Sequence, residues 1–120
     1  MNSTVLIVDD EVHLVKILRF TLEHEGYNVI SAFDGREAVE KIESERPDIV
    51  ILDLMLPGID GYKVCNMIKK KEELKEIPVI ILSARNFESE NIEEKIMAEA
   101  LMKKPFNTQE LLKLIDDLIC

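Results

Sequence analysis

With 120 residues, 47% of them hydrophobic and 32% charged, the chain has the balance of one folded domain, too short for two ordinary cores and too apolar for a disordered segment. A formal charge of −9 argues against direct nucleic-acid binding, which needs clustered Lys and Arg, and favours protein partners or divalent cations. No apolar run approaches the roughly 20 residues of a membrane span. The stretch Met1 to Thr4 lacks the basic region of a secretion signal, so a cytoplasmic protein without membrane contact is expected.

The first apolar run, Val5 to Val8, reads as a strand buried on both faces and ends in Asp9-Asp10. Leu14, Leu18 and Leu22 then recur at helical spacing, and Gly26-Tyr27 marks where that helix must turn. His13 and His24 lie on it as solvated or half-buried residues. A second strand falls within Asn28 to Ala32, around Val29-Ile30. Asp34 followed by Glu37 has the spacing of a capping box for a helix that carries Ala38 and Ile42. Ile49 to Leu52 is the third strand and ends in Asp53, ahead of a turn at Pro57-Gly58. The tract Lys69-Lys70-Lys71, followed at once by Glu72-Glu73, reads as the solvated end of a helix.

Val79 to Leu82 is the fourth strand and ends in Ser83. Arg85 to Glu99 carries five glutamates over a thin apolar stripe at Ile92 and Ile96, which predicts a loosely attached helix. A weaker strand, Ala100 to Met102, leads to Lys104-Pro105. Asn107 with Glu110 repeats the capping spacing before Leu111, Ile115 and Leu118. Pro47, Pro57, Pro78 and Pro105 all fall at element edges, where a missing N–H does least damage. Cys65 and Cys120 have no ligand or redox spacing and are expected as free thiols. Strand and helix therefore alternate through one domain, residues 1–120, as in a doubly wound, five-stranded parallel sheet with helices on both faces.

The chemistry gathers at the strand ends. Asp9, Asp10, Asp53, Ser83 and Lys104 all follow strands, and in open α/β sheets ligands bind outside the carboxyl ends of strands. Singly, each has a plain explanation as a cap, a turn residue or a surface charge. Jointly, three carboxylates disfavour one another's ionised forms unless a positive group sits among them. Mg²⁺ suits such oxygen donors and bridges carboxylates to phosphate oxygens. Lys104 would neutralise a phosphoryl oxygen, Ser83 would hydrogen-bond another, and a carboxylate between metal and lysine can attack phosphorus.

Val8-Asp9-Asp10-Glu11, then Asp53-Leu54-Met55-Leu56-Pro57-Gly58-Ile59-Asp60-Gly61, then Ser83-Ala84 and Lys104-Pro105-Phe106, taken in order, resemble the signature of the response-regulator receiver family of two-component signalling, in a form similar to the chemotaxis regulators. The resemblance implies a flavodoxin-like sheet of order 2-1-3-4-5, which sets the first strand beside the third. It implies that Asp53 accepts a phosphoryl group from the phosphohistidine of a histidine kinase or phosphotransfer protein, assisted by Ser83 and Lys104. Mg²⁺ would be held by Asp10, Asp53 and the Met55 backbone carbonyl, with Asp9 acting through water. A cis peptide before Pro105 is expected with it, and no other cofactor. In such a protein the domain is a signalling phosphoacceptor that catalyses its own phosphorylation and dephosphorylation, and not an enzyme acting on other molecules. Its partner downstream is a protein or an output domain, and Met55 and Arg85 would tune access of hydrolytic water.

Leu101 stands where the family usually has Tyr or Phe, Met97-Ala98 replaces the usual Gly-Ala, and the interval from Ser83 to Lys104 is one residue short. The switch is therefore expected to use the segment Glu88 to Met97, with Leu101, Lys103 and the helix from Thr108 onward as the output face. The rival readings fit less well. Asp9-Asp10-Glu11 would repel the phosphate of a flavin nucleotide, and Met55 stands where a haloacid-dehalogenase-type phosphatase carries its acid. A vestigial receiver, acting as an interaction module without phosphorylation, is the remaining alternative.

Overall fold

Strands that are apolar at every position must be covered on both faces, and the alternation of side chains decides which layer each residue enters. The computed structural model describes residues 2–58, 61–84 and 98–119. The elements run β1 (Thr4–Val8), α1 (Val12–His24), β2 (Asn28–Ala32), α2 (Gly35–Glu45), β3 (Ile49–Asp53), α3 (Gly61–Lys70), β4 (Val79–Ser83), β5 (Ala100–Lys103) and α4 (Thr108–Ile119). The strands are all parallel, in the order β2-β1-β3-β4-β5, as the resemblance implied. The helix expected over Arg85 to Glu99, with its stripe at Ile92 and Ile96, lies almost wholly outside the described residues, as does Cys120.

On one face, Leu6 and Val8 of β1, Val50 and Leu52 of β3 and Val79 and Ile81 of β4 pack with Ala38 and Ile42 of α2 and Val64, Cys65 and Ile68 of α3. On the other, Val5, Ile7, Ile49, Ile51, Ile80 and Leu82 pack with Val15, Leu18 and Leu22 of α1 and Leu111 and Ile115 of α4. Successive strand residues thus enter opposite cores, and β1, β3 and β4 are continuous apolar runs for that reason.

Helix boundaries follow local chemistry. Asp34 accepts a hydrogen bond from the Glu37 N–H at 2.8 Å, while the Glu37 carboxylate reaches back to the Phe33 N–H at 2.8 Å, a capping box extended by one residue. Asn107 accepts from the N–H groups of Gln109 and Glu110. Gly26, at φ 95°, supplies the left-handed residue that lets Tyr27 N–H bond back to Leu22 and ends α1.

One reading of the sequence needs correction. Lys69 is no solvated helix end: its side chain is only 5% exposed. Its ammonium donates to the carbonyls of Ile77 (2.7 Å) and Lys75 (3.2 Å) and to Glu99 Oε2 (2.7 Å), while Glu99 Oε1 accepts from Val79 N–H at 2.7 Å. A single cation therefore ties the end of α3, the loop after it and the starts of β4 and β5. Removing one partner of such a pair leaves the other unpaired. Lys69→Ala should lower unfolding free energy in urea by about 2 kcal/mol, below the range for a fully buried pair because Glu99 is partly exposed. Lys70→Ala, at an exposed site, should change it by no more than about 0.5 kcal/mol.

Candidate functional site

Parallel pairing of β1 with β3 and of β3 with β4 fixes which residues meet at the carboxyl edge of the sheet. Val8 lies opposite Leu52, so Asp9 and Asp10 leave β1 beside Asp53, the last residue of β3. Ser83 ends β4 and lies opposite Lys103 of β5, and Lys104 follows at once. The Lys104 N–H donates to the Ser83 carbonyl at 2.9 Å, and the peptide before Pro105 is cis.

The side chains converge. Carboxylate oxygens of Asp9, Asp10 and Asp53 lie within 4.8 Å of one another. Asp9 and Asp53 are buried and Asp10 is exposed. The Lys104 ammonium stands 2.8 Å from Asp9 Oδ2 and 3.2 Å from both Asp53 Oδ2 and Glu11 Oε1. Asp53 Oδ1 accepts from the Met55 N–H at 3.0 Å, so both of its oxygens are held and the carboxylate plane is set. Asp9 Oδ1 likewise accepts from the Glu11 N–H at 2.9 Å. Met55 itself is exposed beside the acid, and Ser83 is fully buried.

Gly61 explains how α3 comes so close. A Cβ there would lie 2.5 Å from the Asp53 carbonyl oxygen and 2.6 Å from Leu54 Cα, and its N–H donates to the Leu54 carbonyl at 3.2 Å. Only glycine lets the first turn of α3 rest against the end of β3.

Burial pushes the Asp9 carboxyl above the ordinary aspartate range, and the nearby Asp53 charge adds to that; the bonds from Lys104 and Glu11 N–H oppose it without prevailing. For Lys104, burial alone would push the ammonium down, but its hydrogen bonds to Asp9 and Glu11 and the charges of Asp9 and Asp53 outweigh this and raise it. Among the described residues, the cluster is thus an excess of negative charge held by a single ammonium group.

Of the candidate residues named from the sequence, Asp9, Asp10, Asp53 and Lys104 come together here, with Met55 bonded to Asp53 through its N–H and Ser83 at the end of neighbouring β4. Arg85 lies outside the described residues, as do Ile59 and Asp60. Glu11 entered the sequence reading only within the run Asp9-Asp10-Glu11, with no role of its own, yet its carboxylate is the third to reach Lys104. Oxygen donors from three carboxylates at this spacing fit a small hard cation, and a fixed, buried carboxylate next to a cation is competent as a nucleophile.

The sequence match agrees with the geometry. Residues 5–116 match the response regulator receiver domain family. Among solved structures, the chain is similar to the response regulator TrrA of Thermotoga maritima, determined in complex with Mg(2+)-BeF, at 34% identity and TM-score 0.85 over 98% of this chain and 99% of that one. It is also similar to the chemotaxis response regulator CheY4 of Vibrio cholerae, at 29% identity and TM-score 0.89 over 98% and 99%. The Francisella response regulator 1452 receiver domain matches at 30% identity and TM-score 0.88 over 98% and 97%.

Because its folded-state pKa is raised, Lys104 stabilises the fold fully below the ordinary lysine value of 10.5, and loses that contribution only as pH rises through the higher folded value. Asp9 is opposite in sign: its penalty is present above its raised pKa and is relieved as pH falls toward the ordinary 3.8. In metal-free protein at pH 7, Lys104→Met should therefore lower unfolding free energy by about 2 kcal/mol. Denaturant melts across a pH series should show the gap to wild type narrowing on acidification, as the uncompensated acids take up protons. A gap that is constant with pH would mean that the lysine is not what balances these acids.

Proposed function

Since the chain belongs to the response regulator receiver domain family, we propose that it is a phosphoacceptor of two-component signalling, taking a phosphoryl group from a histidine kinase or phosphotransfer protein onto Asp53. The observation that carries the proposal is the Asp53 carboxylate. It is buried at a strand end, fixed by Met55 N–H, paired with Lys104 and crowded by Asp9 and Asp10.

The site gives each residue a task in that reaction. An Asp53 oxygen attacks phosphorus, the phosphorus–nitrogen bond of the donor breaks with its electron pair leaving on the imidazole, and a mixed anhydride forms on Asp53. Lys104 already sits 3.2 Å from Asp53 Oδ2, so a phosphoryl group added there lies within reach of the same ammonium. That contact trades a carboxylate partner for a phosphoryl oxygen. Ser83, at the end of the neighbouring strand, would donate its hydroxyl to a second oxygen. Mg²⁺, held by Asp10, Asp53 and the Met55 carbonyl with Asp9 acting through water, would supply the remaining positive charge that three acids and a phosphoryl group require. Exposed Met55, two residues after the acceptor, stands where hydrolytic water would approach.

The signal would leave through β5. Lys103 pairs with Ser83 and precedes Lys104, while Leu101 is half-buried against the core shared by α2 and α3. Leucine offers no polar-tipped ring to swing inward, so the response there would be a change in packing. The segment Glu88 to Met97, expected to carry part of that signal, lies outside the described residues.

Wild type treated with acetyl phosphate and Mg²⁺ should gain one phosphoryl group by intact mass, and Asp53→Asn should gain none. Equal uptake by the variant would overturn the assignment, and no uptake by wild type would favour a vestigial module. Asp10→Asn should keep the fold but weaken Mg²⁺ binding by about 100-fold, the upper end of what loss of a supporting metal-site partner produces. Calorimetric titration with Mg²⁺ measures this directly, and unchanged affinity would remove Asp10 from the ligand set.

A further inference from the structure

A strand at the end of a sheet carries a row of backbone N–H and C=O groups with no strand to bond, and a second chain can add to it. In this fold β2 is such a strand, with β1 on one side only. Asn28 N–H donates to Ser3 and the Ala32 carbonyl accepts from Asp9 N–H, so residues 28, 30 and 32 turn their polar groups toward β1. By the alternation of a strand, Val29, Ser31 and Phe33 turn theirs outward. The edge also carries apolar surface, since Phe33 is 40% exposed and Ile30 is only partly covered. These are the ingredients of an adhesive edge.

The outward groups are nevertheless occupied. Arg19, from α1 on one face of the sheet, donates to the Val29 carbonyl at 3.0 Å and to Ser31 Oγ at 3.1 Å. Lys41, from α2 on the other face, donates to the Ser31 carbonyl. Glu37, one turn earlier on α2, accepts from Phe33 N–H at 2.8 Å and pairs with Lys41 at 3.4 Å. Three charged side chains from two layers thus reach around the same edge and bond three consecutive outward-facing residues. The Glu37 bond doubles as the cap of α2, but Arg19 and Lys41 are half exposed and cap no helix.

We infer that Arg19, Lys41 and Glu37 form a clasp that closes the β2 edge against strand addition by a second copy of this chain. The clasp fills the acceptors at Val29 and Ser31 and the donor at Phe33 that an added strand would need. It also sets charged side chains along the edge, which discourages pairing with another strand. None of these three side chains is among those gathered at Asp53, and the inference does not depend on the proposed phosphoryl chemistry.

The test is the double variant Arg19→Ala/Lys41→Ala, followed by sedimentation velocity over a concentration series and by hydrogen exchange at the Val29 and Ser31 amides. The variant should self-associate at about tenfold lower concentration than wild type, with those outward amides slowed in the associated form. Adding Ser31→Pro, at an N–H that points away from β1, should return the protein to wild-type behaviour, because proline is tolerated on an outward edge and blocks pairing there. A double variant that sediments like wild type overturns the inference. So does one that associates regardless of Ser31→Pro, since its interface would then lie elsewhere. Should circular dichroism show the double variant unfolded, Arg19→Ala and Lys41→Ala separately carry the same comparison. Failure of both to fold would assign these side chains to the stability of the monomer and overturn the clasp.

Discussion

Two buried carboxylates, Asp9 and Asp53, share a single ammonium group, and the rest of the site is arranged around that imbalance. In a medium less polar than water, like charges at this spacing repel strongly. The fold answers with Lys104, with backbone N–H groups from Met55 and Glu11 aimed at the two acids, and with solvent around Asp10 and Glu11. What remains is still negative, since among the described residues the carboxylates of Asp9, Asp10, Asp53 and Glu11 gather around one ammonium group, and burial holds the Asp9 carboxyl above the ordinary aspartate range. Such an excess of carboxylates favours a cation among them.

The opposite edge of the sheet is built for the reverse purpose. Thr4 and Asp48 exchange hydrogen bonds there, Thr4 N–H to the Asp48 carboxylate at 2.7 Å and Asp48 N–H to the Thr4 carbonyl at 2.8 Å, which locks the starts of β1 and β3 together. Lys69 and Glu99 do the same for β4 and β5. Strand starts are thus tied by satisfied polar bonds while strand ends carry the crowded acids. Rigid anchorage at one end lets short loops at the other hold the clustered side chains in register.

How much of this the sequence disclosed depends on whether the signal was local. β1, β3 and β4 were legible because burial on both faces leaves no polar position to confuse the period. The caps at Asp34 and Asn107 were legible because a cap and its partner lie within one helical turn. The strand-end set of Asp9, Asp10, Asp53, Ser83 and Lys104 was legible as a set, because the topology of such sheets sends every strand end to one crevice. Lys69 was misread because Lys69, Lys70 and Lys71 look alike in a run, and the partner Glu99 lies thirty residues on. Helical phase held a clue, since Val64, Cys65, Ile68 and Lys69 share the buried side of α3. The need for Gly61 was not legible in physical terms. It arises from the approach of α3 to the Asp53 carbonyl, a distance only coordinates supply.

The two outer strands are finished in different ways, and the difference bears on how a change at the site would travel. β2 is bonded along its outer edge by Arg19, Lys41 and Glu37, which ties it to α1 and α2 together. β5 is the least covered strand: its four residues are half-buried or exposed, whereas every residue of β3 and β4 is buried. Lys104 follows β5 directly and is the side chain that any new anion at Asp53 would draw on. A force applied there acts on a strand whose residues are only partly buried, though Ala100, Leu101 and Met102 touch the two cores, while the same force on the β1 and β3 side meets continuous buried packing. Displacement would therefore be taken up at β5, at Leu101 and at the adjoining turn of α4, and the clasped β2 edge would stay still. The asymmetry of burial across the sheet gives a local electrostatic event a direction before any partner is considered.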